Sequence, residues 1–221
     1  MKSIIIFGKG PSVLKCTRKL VDDHDEIAIC NYPPLNDFFY SLIKDKTIHY
    51  HFANCGTFDK RYTNQINEKL KIQKIFNTNR GTNNYMNYLN NNTLFQNENL
   101  YQTIYKDYFE KIYEFKPPTG LYALHYILNT KKYNKITLIG FDGFDLNKTV
   151  YFFDIAKEGF RENERLLNLG VYSKDGKLKL PTEHPTNKVI NYIKDQIVKY
   201  KNIKINIISN NDNLNKLNQN Y

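Results

Sequence analysis

The chain of 221 residues has no tryptophan and three cysteines, Cys16, Cys30 and Cys55. None of the three stands in a C-x-x-C pair, so neither a zinc site nor a disulfide framework is expected. An odd count without a secretory leader predicts a reducing, cytoplasmic setting. The opening Met1-Lys2-Ser3-Ile4-Ile5-Ile6-Phe7 is too short for a signal-peptide core. No stretch approaches the ~20 apolar residues of a membrane-spanning helix, so any membrane contact is expected to be peripheral. G-x-S-x-G, Walker A and H-E-x-x-H patterns are all missing, which removes three common hydrolase and nucleotide-binding chemistries. There are no internal repeats.

What is present is positive charge. The formal net charge is +10, from 32 Lys and Arg against 22 Asp and Glu. Such an excess suits anionic partners such as nucleotide phosphates, acidic glycolipids and membrane surfaces. The lysines are spread along the chain without a basic run, and no RNA-binding motif accompanies them, so nucleic acid is not an expected partner.

Apolar patterning predicts an α/β fold. Short buried strands are expected at residues 3–7, 26–31, 46–52, 72–76, 135–140 and 203–208. Helical patterns fall between them, at 12–21, 58–70, 99–114, 119–131 and 185–200. This alternation implies βαβ units and a mostly parallel sheet in a single Rossmann-like nucleotide-binding domain over residues 1–209. Residues 79–98, crowded with Asn, Thr and Tyr, read as an insertion. Residues 144–183 read as a lid, and the Asn-rich residues 210–221 as a flexible tail.

Three motifs carry candidate chemistry. The turn Gly8-Lys9-Gly10-Pro11-Ser12 follows the first strand, where glycines let a backbone approach phosphate or ribose. It is not a dinucleotide fingerprint, because the third glycine is missing and the second strand ends in Cys30-Asn31 rather than an acid. Asn31 offers a donor and an acceptor that suit a sugar hydroxyl or a pyrimidine edge. The second motif is Pro118-Thr119-Gly120, with Thr119 as the expected cap of a helix whose N-terminus favours anions. The strand that follows ends in Gly140-Phe141-Asp142. The third is His184, a candidate general base ahead of the last helix. Of the other histidines, His24 reads as a surface loop residue, His49 and His51 share one face of a strand, and His125 reads as packed. Asp142 and Asp145 are too widely spaced for a tight metal clamp, and no metal site is expected.

The order of these pieces resembles the small bacterial sialyltransferases of lipooligosaccharide synthesis. The pieces are a G-x-G-P-S turn near residue 8, C-N at the second strand end, T-G opening a helix, a strand ending G-F-D and a late His. Residues 117–141 are also similar to the S motif of animal sialyltransferases, and Asn31-Tyr32-Pro33-Pro34 with Lys46-Thr47 to the end of their L motif.

The resemblance implies a GT-A-variant-like glycosyltransferase. Such an enzyme moves sialic acid from CMP-sialic acid to a glycan hydroxyl by inverting displacement, without a metal or other cofactor. It implies that Gly8, Gly10, Pro11, Ser12 and Asn31 line the cytidine site and that Thr119 and Gly120 hold the nucleotide, with Lys116 just before them. Phe141 and Asp142 would border the site. His184 would be the base and Tyr151 the lid residue that steadies the leaving phosphate. A glycan or glycolipid acceptor, peripheral association with the inner membrane and a homo-oligomer also follow from it.

Three positions depart from the pattern. Lys9 stands where the bacterial members usually have Asn. Phe144 stands where a second phosphate-binding tyrosine is usual. His51 stands near a usual Asn, with Asn54 three residues on as a substitute. These departures keep open a related CMP-activated donor of the Kdo, legionaminate or pseudaminate type, and a nucleotide-binding protein without catalysis.

Overall fold

The structure, a computed structural model, describes residues 1–53, 64–65, 68–78, 94–143, 149–158, 168 and 184–220. Asn54, Cys55, Phe144, most of the expected helix at 58–70 and most of the expected lid lie outside the described residues.

Seven strands form one sheet, in the order β5-β4-β3-β2-β1-β6-β7. They are β1 (Lys2–Phe7), β2 (Glu26–Cys30), β3 (Thr47–Ala53), β4 (Lys71–Asn77), β5 (Leu94–Asn99), β6 (Tyr133–Ile139) and β7 (Lys204–Ile208). Every neighbouring pair is parallel. A parallel sheet needs cover on both faces, which is why its strands read as near-continuous apolar runs.

Alternation along each strand divides the core. Ile4, Ile6, Ala28, Cys30, Ile136 and Leu138 face helices α3 (Thr119–Asn129) and α5 (Thr186–Lys199). Ile5, Phe7, Ile27 and Ile29 face α1 (Arg18–Asp22), α2 (Asp37–Ile43) and the segment running from Val150 into α4 (Ile155–Glu158). The chain winds outward from β1 to β5, then returns to place β6 on the other side of β1. The winding therefore reverses between β1 and β6, where a ligand crevice is expected in such sheets.

The structure corrects several sequence expectations. The helix expected at 12–21 is split into a 3-10 turn, Pro11–Lys15, and α1. Cys16 and Thr17 are extended between them, and the Thr17 hydroxyl caps α1 by accepting from Leu20 N–H at 3.2 Å. Helix α2 was not expected. Its cap is Asn36, which accepts from Phe39 N–H at 3.0 Å, and it buries Phe39, Leu42 and Ile43. The helix expected at 99–114 is a π-helix, Tyr101–Tyr113. It ends at Glu114 with φ 52°, where Lys188 Nζ donates to the carbonyls of Tyr113 and Glu114 at 3.2 Å each.

Within the expected insertion, residues 94–99 form β5 and residues 79–93 lie outside the described residues. His24 is buried rather than at the surface, with its ring nitrogens 2.8 Å from the Leu20 carbonyl and 2.8 Å from Thr137 Oγ1. At the amino-terminal end of the sheet, the buried Glu26 carboxylate takes hydrogen bonds from Lys2 (2.8 Å), Lys132 (2.6 Å) and the Tyr133 hydroxyl. Burial alone would raise this carboxyl, but those donors win and hold it at about 2. No helix among the described residues is long and apolar enough to cross a membrane.

The tail expected to be flexible folds back as α6 (Asp212–Asn215) and a 3-10 turn, with Leu214 fully buried. Its asparagines meet edge strand β7. Asn218 Oδ1 accepts from Ile207 N–H at 2.8 Å while Nδ2 donates to the Ile207 carbonyl at 2.7 Å. Asn215 repeats the pattern on Ser209, at 3.2 and 2.9 Å. Two side-chain amides thus occupy positions that another strand would take. Asn218→Ala removes two hydrogen bonds of ~0.5–1.5 kcal/mol each, so chemical unfolding should show a loss of about 1–3 kcal/mol. An unchanged midpoint would show that the edge does not need the amide.

Candidate active site

Parallel strands bring their carboxyl ends to one rim, and most sequence-predicted residues leave the sheet there. The turn after β1 lies against the segment after β6. Gly8 N–H donates to the Ile139 carbonyl at 2.8 Å and Gly10 N–H to the Gly140 carbonyl at 3.0 Å. A Cβ on Gly8 would collide with the Gly140 carbonyl, and one on Gly10 with the Asp142 carboxylate. These glycines are required by the contact between two chain segments. Their amides, expected to meet a nucleotide, are already engaged.

Ser12 is equally committed. Its buried hydroxyl donates to the Ile208 carbonyl and accepts from Gly140 N–H, both at 2.9 Å. Its amide donates to Asp142 Oδ2 at 2.8 Å. Asp142 Oδ1 accepts from Ser209 Oγ at 3.0 Å and from Asn210 N–H at 2.5 Å. Asp142 and Ser12 therefore join the ends of β1, β6 and β7. Pro11 opens the 3-10 turn behind them. Among the described residues no group of three or more His, Cys, Asp or Glu is placed to hold a metal ion.

A second cluster stands over the ends of β2, β3 and β4. Asn31 takes a left-handed backbone, φ 56°, and its amide donates to the Phe52 carbonyl at 2.7 Å. Its side-chain oxygen accepts from Thr119 Oγ1 at 3.0 Å. Thr119 Oγ1 lies 3.3 Å from Thr78 Oγ1. Thr119 is the first residue of α3 rather than its cap. Pro118 holds the cap position and no side chain caps the helix, whose leading amides are the usual seat for an anion. Gly120 is fixed by packing, since a Cβ there would come 2.5 Å from Phe141 Cε1.

His51 lies beneath this cluster rather than in it. It is fully buried, and its Nε2–H donates to the Asn31 carbonyl at 2.5 Å. Burial pushes its pKa down to about 4, against the pull of that hydrogen bond.

His184, the candidate base, precedes α5. Its Nδ1 is 2.7 Å from the Lys116 carbonyl. A carbonyl only accepts, so Nδ1 carries a proton, and the lone pair of a neutral ring would then stand on Nε2. Lys116 contributes this carbonyl, and its side chain is exposed. The contact ties the histidine to the segment three residues ahead of Thr119.

Tyr151 lies against the Gly8–Ser12 turn. Lys9 Nζ sits over its ring, 4.7 Å from the centroid, and the Lys9 carbonyl accepts from Phe152 N–H at 3.0 Å. Burial pushes the Cys30 thiol well up, and the Lys9 charge only partly opposes it.

The structure pairs Tyr151 with Lys9, Asn31 with Thr119 and His184 with Lys116, and commits Gly8, Gly10, Ser12, His51, Phe141 and Asp142 to packing and hydrogen bonds at the rim. Sequence reasoning missed Thr78 and Ser209. Each is a hydroxyl just past an apolar strand, and counting strand ends in a parallel sheet would have found both.

The site defines a class first: a Rossmann-like α/β fold with polar groups gathered at the strand ends around a helix N-terminus. This fold is similar to that of the sialyltransferase CstII from Campylobacter jejuni, solved in complex with a substrate analogue, cytidine-5′-monophosphate. The match has a TM-score of 0.60 and 21% identity, covering 95% of this chain and 80% of that one. A second structure, of a mutant of CstII described as an α-2,3/8-sialyltransferase, matches with a TM-score of 0.50 and 18% identity, over 94% and 81% of the two chains. No protein-family model and no curated protein matches the sequence.

Two histidines, the fully buried His51 and the half-buried His125, predict an acid-sensitive fold. His51 and His125 are both pushed down to about 4, chiefly by burial, from an ordinary value of 6.5. Between those values the unfolded chain binds more protons than the folded one. Stability is therefore full above about 6.5 and falls as pH drops toward 4. Denaturant unfolding at pH 5 should have a lower midpoint than at pH 7 and take up protons. Equal midpoints would mean that the folded rings are already protonated.

Proposed function

We propose that this protein is a glycosyltransferase that moves sialic acid from CMP-sialic acid to a hydroxyl of a glycan or glycolipid, by inverting displacement without a metal. The observation that carries the reading is His184. Its Nδ1–H is held by the Lys116 carbonyl, which in the neutral ring assigns the lone pair to Nε2, and that carbonyl lies three residues ahead of the first residue of α3. This supports reading His184 as a base in the required tautomer, tied to the segment that leads into an anion seat. The CstII structure with cytidine-5′-monophosphate supports the choice of nucleotide.

In this mechanism His184 Nε2 takes the acceptor proton as the acceptor oxygen bonds to the anomeric carbon. The bond from that carbon to the phosphate oxygen breaks, and its electron pair leaves with CMP. The amides at Thr119 and Gly120 and the Tyr151 hydroxyl stabilise the departing phosphate. A nucleoside monophosphate carries less charge than a diphosphate, so hydrogen bonds and a helix terminus suffice. A homo-oligomer and peripheral contact with a membrane through the basic surface belong to the same proposal.

Calorimetry with CMP, UMP, AMP and S-adenosylmethionine in the presence of EDTA should show binding of CMP alone. Preference for another nucleotide would overturn the reading. A donor panel with product mass then separates sialic acid from other CMP-activated sugar acids, and CMP binding without any transfer would identify a nucleotide-binding protein. His184→Gln should lower kcat by about 10²–10⁴-fold while CMP affinity stays within about twofold of the parent. Near-normal turnover by this variant would remove His184 as the base.

A further inference from the structure

We propose that Lys9 is a further group acting on the reaction centre, a cation that works as a pair with Tyr151 to stabilise the leaving phosphate; the inference rests on the CMP-sugar reading above. Three observations converge on it. Lys9 Nζ sits 4.7 Å from the centroid of the Tyr151 ring. Tyr151 is held in place, because it is buried and stacks on Phe153 at 5.1 Å with only 4° between the rings. The two segments are also joined through their backbones, by the 3.0 Å bond from Phe152 N–H to the Lys9 carbonyl.

The place of Lys9 in the sheet matters as well. Lys9 follows β1 and Asn31 follows the neighbouring β2, so both leave the same rim, where Asn31 contacts Thr119. Lys9 is also the one residue of the Gly8–Ser12 turn whose side chain is long enough to carry charge away from the packed floor. Its neighbours Gly8, Gly10 and Ser12 are committed to that floor.

The charge balance of the reaction gives this cation its task. In the donor the phosphate is a diester with a single negative charge. As the bond to the anomeric carbon breaks, the electron pair stays on the phosphate oxygen, and the monoester approaches two charges at neutral pH (second pKa about 6). The acceptor proton goes to His184, so neither Lys9 nor Tyr151 has to give one up. Tyr151 donates a hydrogen bond and Lys9 supplies the compensating charge. An ammonium on the face of a phenol also draws electron density from the ring, which makes the hydroxyl a stronger donor. Both contributions grow as negative charge develops, so they act on the transition state more than on the bound donor.

The test compares Lys9→Met and Lys9→Gln with Lys9→Arg, each checked for folding by thermal melting. The neutral variants should lower kcat by about 10–100-fold and change KM less. They should weaken CMP by about tenfold while leaving cytidine, which has no phosphate, unchanged, and Lys9→Arg should stay within about threefold of the parent. Combining Lys9→Met with Tyr151→Phe should cost less than the product of the single losses, as for any coupled pair. Equal losses for CMP and cytidine, or normal turnover by the neutral variants of a parent that transfers, would overturn the pairing and leave the function standing. A parent that fails to bind CMP would overturn the CMP-sugar reading and the pairing with it.

Discussion

One buried carboxylate organises the working end of this protein. Asp142 is almost fully buried, and its charge is met by the Ser12 amide, the Ser209 hydroxyl and the Asn210 amide. Hydrogen bonds to an ionised group contribute roughly 1.5–3 kcal/mol each, and a buried carboxylate that lost one would bear the desolvation cost uncompensated. The three donors come from the chain after β1 and the chain after β7, while the acceptor follows β6. The carboxylate therefore sets the relative height of three strand ends. Gly8 and Gly10 follow from it, because any side chain there would prevent the approach. Lys9, between them, is placed by the same constraint.

Two clusters stand at the rim, one closed by Ser12 and Asp142 and the other by Asn31 and Thr119. Asn31 adopts a left-handed backbone above a buried, neutral His51, which donates to its carbonyl. This fixes the side chain that receives the Thr119 hydroxyl. On the function proposed above, the base, the helix terminus and the cation would draw on a floor whose own polar groups are already bonded to one another. Preorganisation of this kind is what electrostatic catalysis needs, since groups that are already oriented do not have to reorganise during the reaction.

The fold was legible in the sequence because a parallel sheet writes its strands as short apolar runs. Six of the seven strands fell where Ile- and Phe-rich runs predicted them. β5 was hidden because its Leu94-Phe95 core is followed by Gln and Asn, which read as loop. α2 was hidden behind Pro33-Pro34, although Asn36-Asp37 ahead of Phe39, Leu42 and Ile43 is an ordinary helix start. The site was legible as a set of positions but not as a set of roles. The order Gly8, Asn31, Thr119, His184 pointed to one rim. The sequence had no means of showing that Ser12, Asp142 and the glycines serve each other, because those partners lie more than a hundred residues apart. His24 was misread for the same reason, with Thr137 as its distant partner.

Asn215 and Asn218 finish the sheet with borrowed chemistry. Most exposed strands are guarded by charge, proline or a bulge, which exclude a newcomer by repulsion or shape. Here the guard is a competitor: a tethered amide presents the same donor and acceptor that an incoming strand would offer. Its strength is therefore a concentration. A short tether holds its end group at an effective level on the order of millimolar. An outside strand of similar intrinsic affinity must exceed that level to displace it. This boundary of the sheet is consequently a threshold set by chain connectivity, and cutting the chain ahead of residue 212 would convert a self-limited sheet into an open template without changing a single strand residue.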